Sequence, residues 1–227
     1  MAEVAQPGPP RRAAAQGELQ PDRWLGLPTA MISDCLGRLG AMDAGIKRYS
    51  GKQLAGVAFT VETGAGDSAT IHRALEVAPA GAVLVVDAGG HLNRAVWGYI
   101  LTVAAVAGDL RGLVLDGAVR DLGAIRETGF PVFARAVCPA GPHKGLAGRI
   151  GATIQCGSVA VSPGDLVVGD DDGVVVVPHD RSGHLLKEIE ARRRQEEEWV
   201  ALIRAGAKSA KVLGLAPADG STNPGVS

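Results

Sequence analysis

Apolar residues along this chain fall into two patterns, one spaced like a helix and one continuous, with glycines between them. In "PTAMISDCLGRLG", Met31, Ile32, Cys35, Leu36 and Leu39 recur at helical spacing, and Thr29 is placed to cap the helix. "LAGVAFTVET", 54–63, reads as a strand, and "DSATIHRALEVA", 67–78, as a helix with Asp67 as its cap. "GAVLVVDAGG" is a continuous apolar strand that ends in Asp87 and a glycine pair. "NRAVWGYILTVAAVAG", 93–108, has the length and apolar density of a helix stopped by Gly108. "GLVLDG" is the next strand, "DLGAIRETG" a short helix and "FPVFARAV" a further strand.

The order strand–helix–strand–helix–strand from 81 to 137 predicts parallel pairing through helical crossovers. Val83 to Val86 is apolar throughout, as a strand buried on both faces requires. From about residue 150 the pattern changes to short strands and turns, "ATIQCGSVAV", "SPGDLVVG" and "DGVVVVP". "GDDDG" between two Val-rich runs is a hairpin turn rather than a calcium loop. A long charged helix follows at 181–206, and no internal repeat is present. The fold class expected is α/β, a mixed, partly parallel central sheet layered with helices. Residues 1–24 read as a disordered lead, 25–207 as one domain including the charged helix, and 208–227 as a flexible tail.

Composition narrows what such a domain does. The 227 residues suit one large domain, and 46% hydrophobic with only 4% aromatic content indicates a core of Ala, Val, Leu and Ile. A net charge of −1 offers no basic face for nucleic acid. Cys35, Cys138 and Cys156 are odd in number, far apart and without a CxxC, which argues for a reducing compartment. No stretch has the apolar length of a membrane span, and the N-terminus lacks the apolar region of a secretory signal. The cytoplasm is the expected location, with no membrane partner.

The candidate chemistry lies in "GLVLDGAVRD", 112–121, where an apolar strand turns over Gly117 and delivers Arg120 and Asp121 as neighbours. Ligands of parallel α/β units collect at the carboxyl ends of strands, and this chain has two such ends, 87–92 and 116–121. The first leads into the helix predicted around Asn93–Gly98, whose free N–H groups suit a carboxylate. Arg120 suits a carboxylate or keto oxygen through its planar fork, and Asp121 suits a hard cation such as Mg²⁺ or Mn²⁺. An anion clamp beside a metal ligand is what a small 2-oxo acid needs. Asp116 either orients Arg120 or ends the strand. Taken alone, an Arg-Asp pair after a strand is more often a surface pair or a helix cap. The five histidines show no HExxH or paired spacing for zinc, though His91 falls in the first strand-end loop. Lys144 in "GPHKG" is an exposed loop lysine rather than a Schiff-base former.

The stretch "DAGGHLNRAVWGYILTVAAVAGDLRGLVLDGAVRDLGAIRETGFPVFARAVCP", with the later "VSPGDLVVGDDDGVVVVP", resembles a known family. It is that of the 4-hydroxy-4-methyl-2-oxoglutarate and 4-carboxy-4-hydroxy-2-oxoadipate aldolases, which also contains the regulator of ribonuclease activity A. The likeness spans roughly residues 27–207 and is most specific over 81–139. It implies an αββα sandwich of the swivelling-domain type, and homotrimers or hexamers with sites between subunits. It also implies a class II retro-aldol reaction with oxaloacetate decarboxylation as a side activity. Position by position, Arg120 matches the family's substrate-binding arginine and Asp121 its metal ligand. Ala95, Val96, Trp97 and Gly98 match the backbone cradle for the substrate carboxylate. The aldolase pattern has an acidic residue where this chain has Tyr99. The resemblance further implies a glutamate from the neighbouring subunit near the metal, for which Glu196, in the run Glu196-Glu197-Glu198, is the candidate.

Cleaving a 4-hydroxy-2-oxo acid, or decarboxylating oxaloacetate, leaves negative charge on a pyruvate enolate. A divalent ion stabilises that charge as a Lewis acid, and Arg120 adds to it. Retro-aldol cleavage also needs a base for the 4-hydroxyl, and only water near the cation offers itself. Decarboxylation has no such need. The function expected is therefore a divalent-metal-dependent lyase that forms pyruvate from small 2-oxo acids. The alternative is a non-catalytic regulator that docks on a protein partner such as a ribonuclease. Arg120 and Asp121 favour the first, because docking requires no metal ligand; Tyr99 favours the second or an altered substrate.

Overall fold

The structure, a computed structural model, describes residues 19–215. Residues 1–18 of the predicted lead and 216–227 of the predicted tail lie outside the described residues. The chain divides into two compact units, the first ending at Gly183 and the second starting at His184.

In the first unit a short 3₁₀ turn (Pro21–Trp24) precedes helix α1 (Thr29–Cys35) and strands β1 (Lys47–Ser50) and β2 (Leu54–Glu62). Three crossover helices follow, α2 (Ala69–Val77), α3 (Tyr99–Ala107) and α4 (Leu122–Thr128). They connect β2 to β3 (Ala82–Trp97), β4 (Gly112–Val119) and β5 (Val132–Val137) in turn. Five short strands complete it: β6 (Arg149–Ile150), β7 (Ile154–Cys156), β8 (Val159–Val161), β9 (Leu166–Gly169) and β10 (Val174–Val177). The main sheet runs β1-β5-β4-β3-β2-β9-β10, with β6 also on β2. Its centre, β2 to β5, is parallel throughout, and β1, β9 and β10 join antiparallel. This is the mixed, partly parallel α/β sheet that the sequence predicts. The "GDDDG" segment is the turn of the β9–β10 hairpin.

Successive residues of a strand face opposite sides, so an all-apolar run needs a core on each side. Leu84, Val86 and Leu115 pack with Ile71, Leu101 and Ile125 of the three crossover helices. Val83, Val85, Val114 and Phe133 point the other way, onto Met42, Ile46, Ile154, Cys156 and Val161. The second β layer of the expected sandwich is thus the two-stranded β7–β8 hairpin.

Four sequence expectations are corrected. The helix predicted over 93–108 begins only at Tyr99, because β3 continues to Trp97. Gly89 and Gly90, at φ of 64° and 65°, let β3 leave its register and return: it uses residues 87 to 97 where β4 uses 116 to 119. Thr29 does not cap α1 but donates N–H and Oγ1 to the Asp170 carboxylate, at 2.8 and 2.7 Å. Within the predicted lead, Pro21–Trp24 forms a 3₁₀ turn with Trp24 fully buried, since a large indole gains most by leaving water. Within the predicted tail, Ser209–Val212 forms a short helix, α6, which follows the long α5 (Ser182–Arg204).

On α5, Arg192 Nε donates to Glu196 Oε1 at 3.0 Å, Arg193 pairs with Glu197, and the Arg192 guanidinium lies 5.0 Å from the Trp199 ring. These spacings support a polar helix along its own surface. Among the described residues no helix is long and apolar enough to cross a membrane.

Candidate active site

The site forms where β3 and β4 end side by side. Ala95 pairs with Ala118 and Trp97 with Val119, and the Arg120 N–H donates to the Trp97 carbonyl at 2.9 Å. That bond carries the chain across the end of β3, in front of the first turn of α3. Asp121 then takes φ 60° and ψ 33°, a left-handed conformation that aspartate tolerates better than most residues. Its carboxylate turns back, and Oδ2 accepts the Tyr99 N–H at 3.1 Å. By position Asp121 is the N-cap of α4, yet its side chain makes no bond to that helix. It serves α3 instead.

Arg120 Nε lies 3.6 Å from Asp121 Oδ2, with the side chains 39% and 44% exposed. A pair this open contributes little to stability and is accessible to a ligand. Gly98 lies beneath it in extended backbone, where conformation asks nothing of it. Space does: a Cβ there would stand 2.6 Å from Asp121 Oδ2 and 3.1 Å from Arg120 Cγ.

Of the predicted cradle, Ala95, Val96 and Trp97 are strand residues with buried side chains. The Ala95 N–H, expected to be free, is taken by the Ala140 carbonyl at 2.9 Å. Trp97 Nε1 donates to Thr102 Oγ1 at 2.8 Å. With the Tyr99 N–H taken by Asp121, what is left for an anion is Gly98 and the rest of the first turn of α3, where helix geometry leaves N–H groups without intrahelical partners.

Sequence reading missed the loop that closes the other side. The Arg94 guanidinium donates from Nη1 to the Gly141 carbonyl at 3.0 Å, and a Cβ on Gly141 would lie 2.9 Å from Arg120 Nη1. The loop is tied down at Asp67, whose Oδ2 accepts from the Gly145 and Leu146 N–H groups at 2.6 and 3.0 Å. Asp67 Oδ1 accepts the Ala69 N–H at 2.8 Å, but the N-cap of α2 is Ser68, one residue beyond the Asp67 predicted, because the helix begins at Ala69. Burial alone would push the Asp67 carboxyl up; the three N–H donors outweigh it and hold it below the usual carboxylate range.

Asp116 does neither of the things the sequence suggested. It lies within β4 and takes a bidentate pair from Arg135, Nε to Oδ1 at 2.5 Å and Nη2 to Oδ2 at 3.1 Å. The Gly157 N–H adds a third bond at 2.8 Å. Glu62, Asp87 and Asp116 stand in register across β2, β3 and β4. Arg149 pairs with Glu62 and Arg135 with Asp116. Burial pushes the Asp87 carboxyl up, and the nearby charges of Asp116 and Glu62 add to it.

For a divalent cation, Asp121 Oδ1 carries no protein partner among the described residues. No three His, Cys, Asp or Glu side chains gather to hold a metal among those residues. The donor set fits an ion that keeps most of its water and takes oxygens from a ligand, which is the behaviour of Mg²⁺. Glu196 lies in the second unit, paired with Arg192.

Fold and strand-end geometry together define a class, an α/β protein whose polar loops follow parallel strands. The chain belongs to the RraA-like family: the family model described as Aldolase/RraA matches residues 29–176. It is 38% identical over 188 residues to a Halalkalibacterium halodurans protein named "Putative 4-hydroxy-4-methyl-2-oxoglutarate aldolase", covering 79% of this chain and 89% of that one. Among solved structures it is similar to an uncharacterized protein from Pseudomonas syringae, at 27% identity and a TM-score of 0.72, over 85% of this chain and 96% of that one. It is also similar to the RNA-processing inhibitor RraA from Thermus thermophilis, at 32% identity and a TM-score of 0.62, over 66% and 92% of the two chains.

Proposed function

We propose that this protein is a divalent-metal-dependent lyase that releases pyruvate from small 2-oxo acids. The observation that carries the reading is the Arg120–Asp121 turn, folded back onto Gly98 and the first turn of α3. The aldolase name of the Halalkalibacterium relative supports it.

Gly98 and the α3 N-terminus receive the substrate's C1 carboxylate, and Arg120 reaches the same end of the molecule with its fork. Asp121 would hold the cation through Oδ1, the oxygen not engaged with Tyr99. When bound, Mg²⁺ or Mn²⁺ supplies Lewis-acid stabilisation of the charge that develops on the 2-oxo group. As the carbon–carbon bond breaks, Arg120 stabilises the resulting enolate from a fixed position. Tyr99 is 41% exposed at the mouth of the site. Model-peptide carboxyls are anionic at neutral pH and phenols are not, so Tyr99 is poorly suited to help remove a 4-hydroxyl proton.

Decarboxylation of oxaloacetate is therefore expected to exceed retro-aldol cleavage of 4-hydroxy-4-methyl-2-oxoglutarate. Pyruvate release from both, with Mg²⁺ or Mn²⁺ and with chelator, tests the reading. Tyr99→Asp should shift the balance toward cleavage by about 10²-fold, the scale of general acid–base help. Efficient cleavage by the wild type, unchanged in Tyr99→Asp, overturns the role assigned to position 99.

The active form in this proposal is a homotrimer or hexamer, with Glu196 of a neighbouring copy reaching the metal. In its support, the outer face of α3 exposes Tyr99, Ile100, Val103 and Val106, with Ile100 74% exposed. Light scattering at micromolar concentration should report a trimer or a multiple of it, and a clean monomer contradicts the shared site.

A second reading, a regulator that docks on a protein such as a ribonuclease, draws on Tyr99 and on the name of the Thermus relative. Absence of 2-oxo acid turnover with every metal makes it the better account.

A further inference from the structure

We infer that Asp67, which lies outside the candidate site, is a positioning residue for it: its carboxylate fixes the loop against which the guanidiniums of Arg94 and Arg120 stand. The placement itself is independent of the lyase reading above; its effect on turnover rests on that reading.

Asp67 is fully buried, one residue before the N-cap of α2. Its N–H donates to the Gly64 carbonyl at 3.0 Å, and its own carbonyl accepts the Thr63 hydroxyl at 2.8 Å. α2 is seated in the core through Ile71 and Ala74. A carboxylate so held is a fixed point for whatever is tied to it.

The loop needs such a point. Residues 143–147 are all exposed, so apolar burial does little to hold them. The His143 N–H donates to the Gly66 carbonyl at 2.8 Å, and the His143 carbonyl accepts the Ser68 N–H at 3.0 Å. Beyond His143 the Gly145 and Leu146 N–H groups both donate to Asp67 Oδ2. Bonds to an ionised acceptor are roughly twice as strong as neutral ones, and here two depend on one oxygen.

Both guanidiniums meet this loop at Gly141. Arg94 Nη1 donates to its carbonyl, and a Cβ there would lie 2.9 Å from Arg120 Nη1. Gly66 lies along the stem of Arg94, where a Cβ would come within 3.1 Å of Arg94 Cδ. Arg94 is thus held between the segment that carries Asp67 and the loop that Asp67 ties. Arg120 Nε stands 3.6 Å from Asp121, too long for a hydrogen bond, so Gly141 is the closer limit on its fork. A shift of the loop moves that limit.

Two substitutions break the tie from opposite ends. Asp67→Asn keeps the size of the side chain but leaves one acceptor oxygen for three N–H groups, so its own NH₂ must face a donor. Gly145→Pro removes one of the loop's donors and leaves Asp67 untouched, and a Cβ at Gly145 meets nothing within 4 Å.

Nuclear magnetic resonance of the arginine Nε–H groups in the full chain reads the placement without turnover. In both variants the Arg94 and Arg120 signals should shift or broaden, while that of Arg111, paired with Asp22, stays in place. Steady-state kinetics with oxaloacetate and Mn²⁺ gives the second readout. Asp67→Asn should lower kcat about 10- to 10²-fold, the cost of a misplaced group, with KM within about three-fold. In an Arg120→Lys background the same substitution should cost less than about two-fold further, because the fork it displaces is already gone. Unmoved arginine signals in both variants, or equal losses of kcat in the two backgrounds, overturn the inference and leave the lyase reading intact. Displaced arginine signals, in a protein whose wild type turns over no 2-oxo acid, uphold the placement and overturn the lyase reading.

Discussion

Asp121→Asn is expected to lower the proposed metal-dependent turnover by a factor on the order of 10³ or more, while the thermal melt should stay close to that of the wild type. Asparagine is the sharpest substitution because it changes only one property. It tolerates the left-handed backbone at φ 60°, and its side-chain carbonyl can still accept the Tyr99 N–H. What it removes is the negative charge at Oδ1 on which the proposed cation site depends. Alanine would remove the turn's tether as well, and would confound loss of the ligand with strain. Turnover as a function of Mn²⁺ concentration reads the result directly. Wild-type protein in excess chelator should fall to the level of the variant. Full activity in either case removes the metal from the proposal.

Arg120→Lys should lower kcat for pyruvate release by about 10²- to 10³-fold, with a smaller change in KM. The guanidinium bridges two walls of the site, with Nε facing Asp121 and Nη1 beside Gly141. A lysine ammonium presents one point charge and cannot face both at once. Steady-state kinetics separates the possibilities. A rise in KM at constant kcat would mean that Arg120 binds substrate and transition state equally, which is incompatible with selective stabilisation of the enolate.

Much of this architecture is legible in the sequence, and what is not has a common cause. Val83–Val86 and Leu113–Leu115 announce buried parallel strands because their apolar character is local and uninterrupted. The two strand ends follow from alternation with helices, and so does the nearness of Arg120 to Gly98. The continuation of β3 through Asn93–Trp97 does not follow, since its apolar residues run straight into α3 and only pairing with β4 decides between the two. Asp116 was open between two roles for the same reason. Its partner, Arg135, is on the next strand, and nothing within ten residues of Asp116 points to it. Arg94 belongs to no motif. Its neighbour Gly141 is 47 positions away, brought in by a loop that Asp67 fastens.

The left-handed turn at Asp121 bears on what a carboxylate contributes at this position. Aspartate is a favoured helix N-cap, but that role uses extended backbone and a bond to the helix it precedes. Asp121 has neither. Asp109, also at positive φ, follows the C-terminal end of α3, where left-handed residues are common. At 121, glycine would enter the same conformation without steric cost. Glycine would serve the backbone at this point but would leave the Tyr99 N–H without its acceptor, so what the carboxylate adds at this turn is a link to α3 rather than a cap for α4.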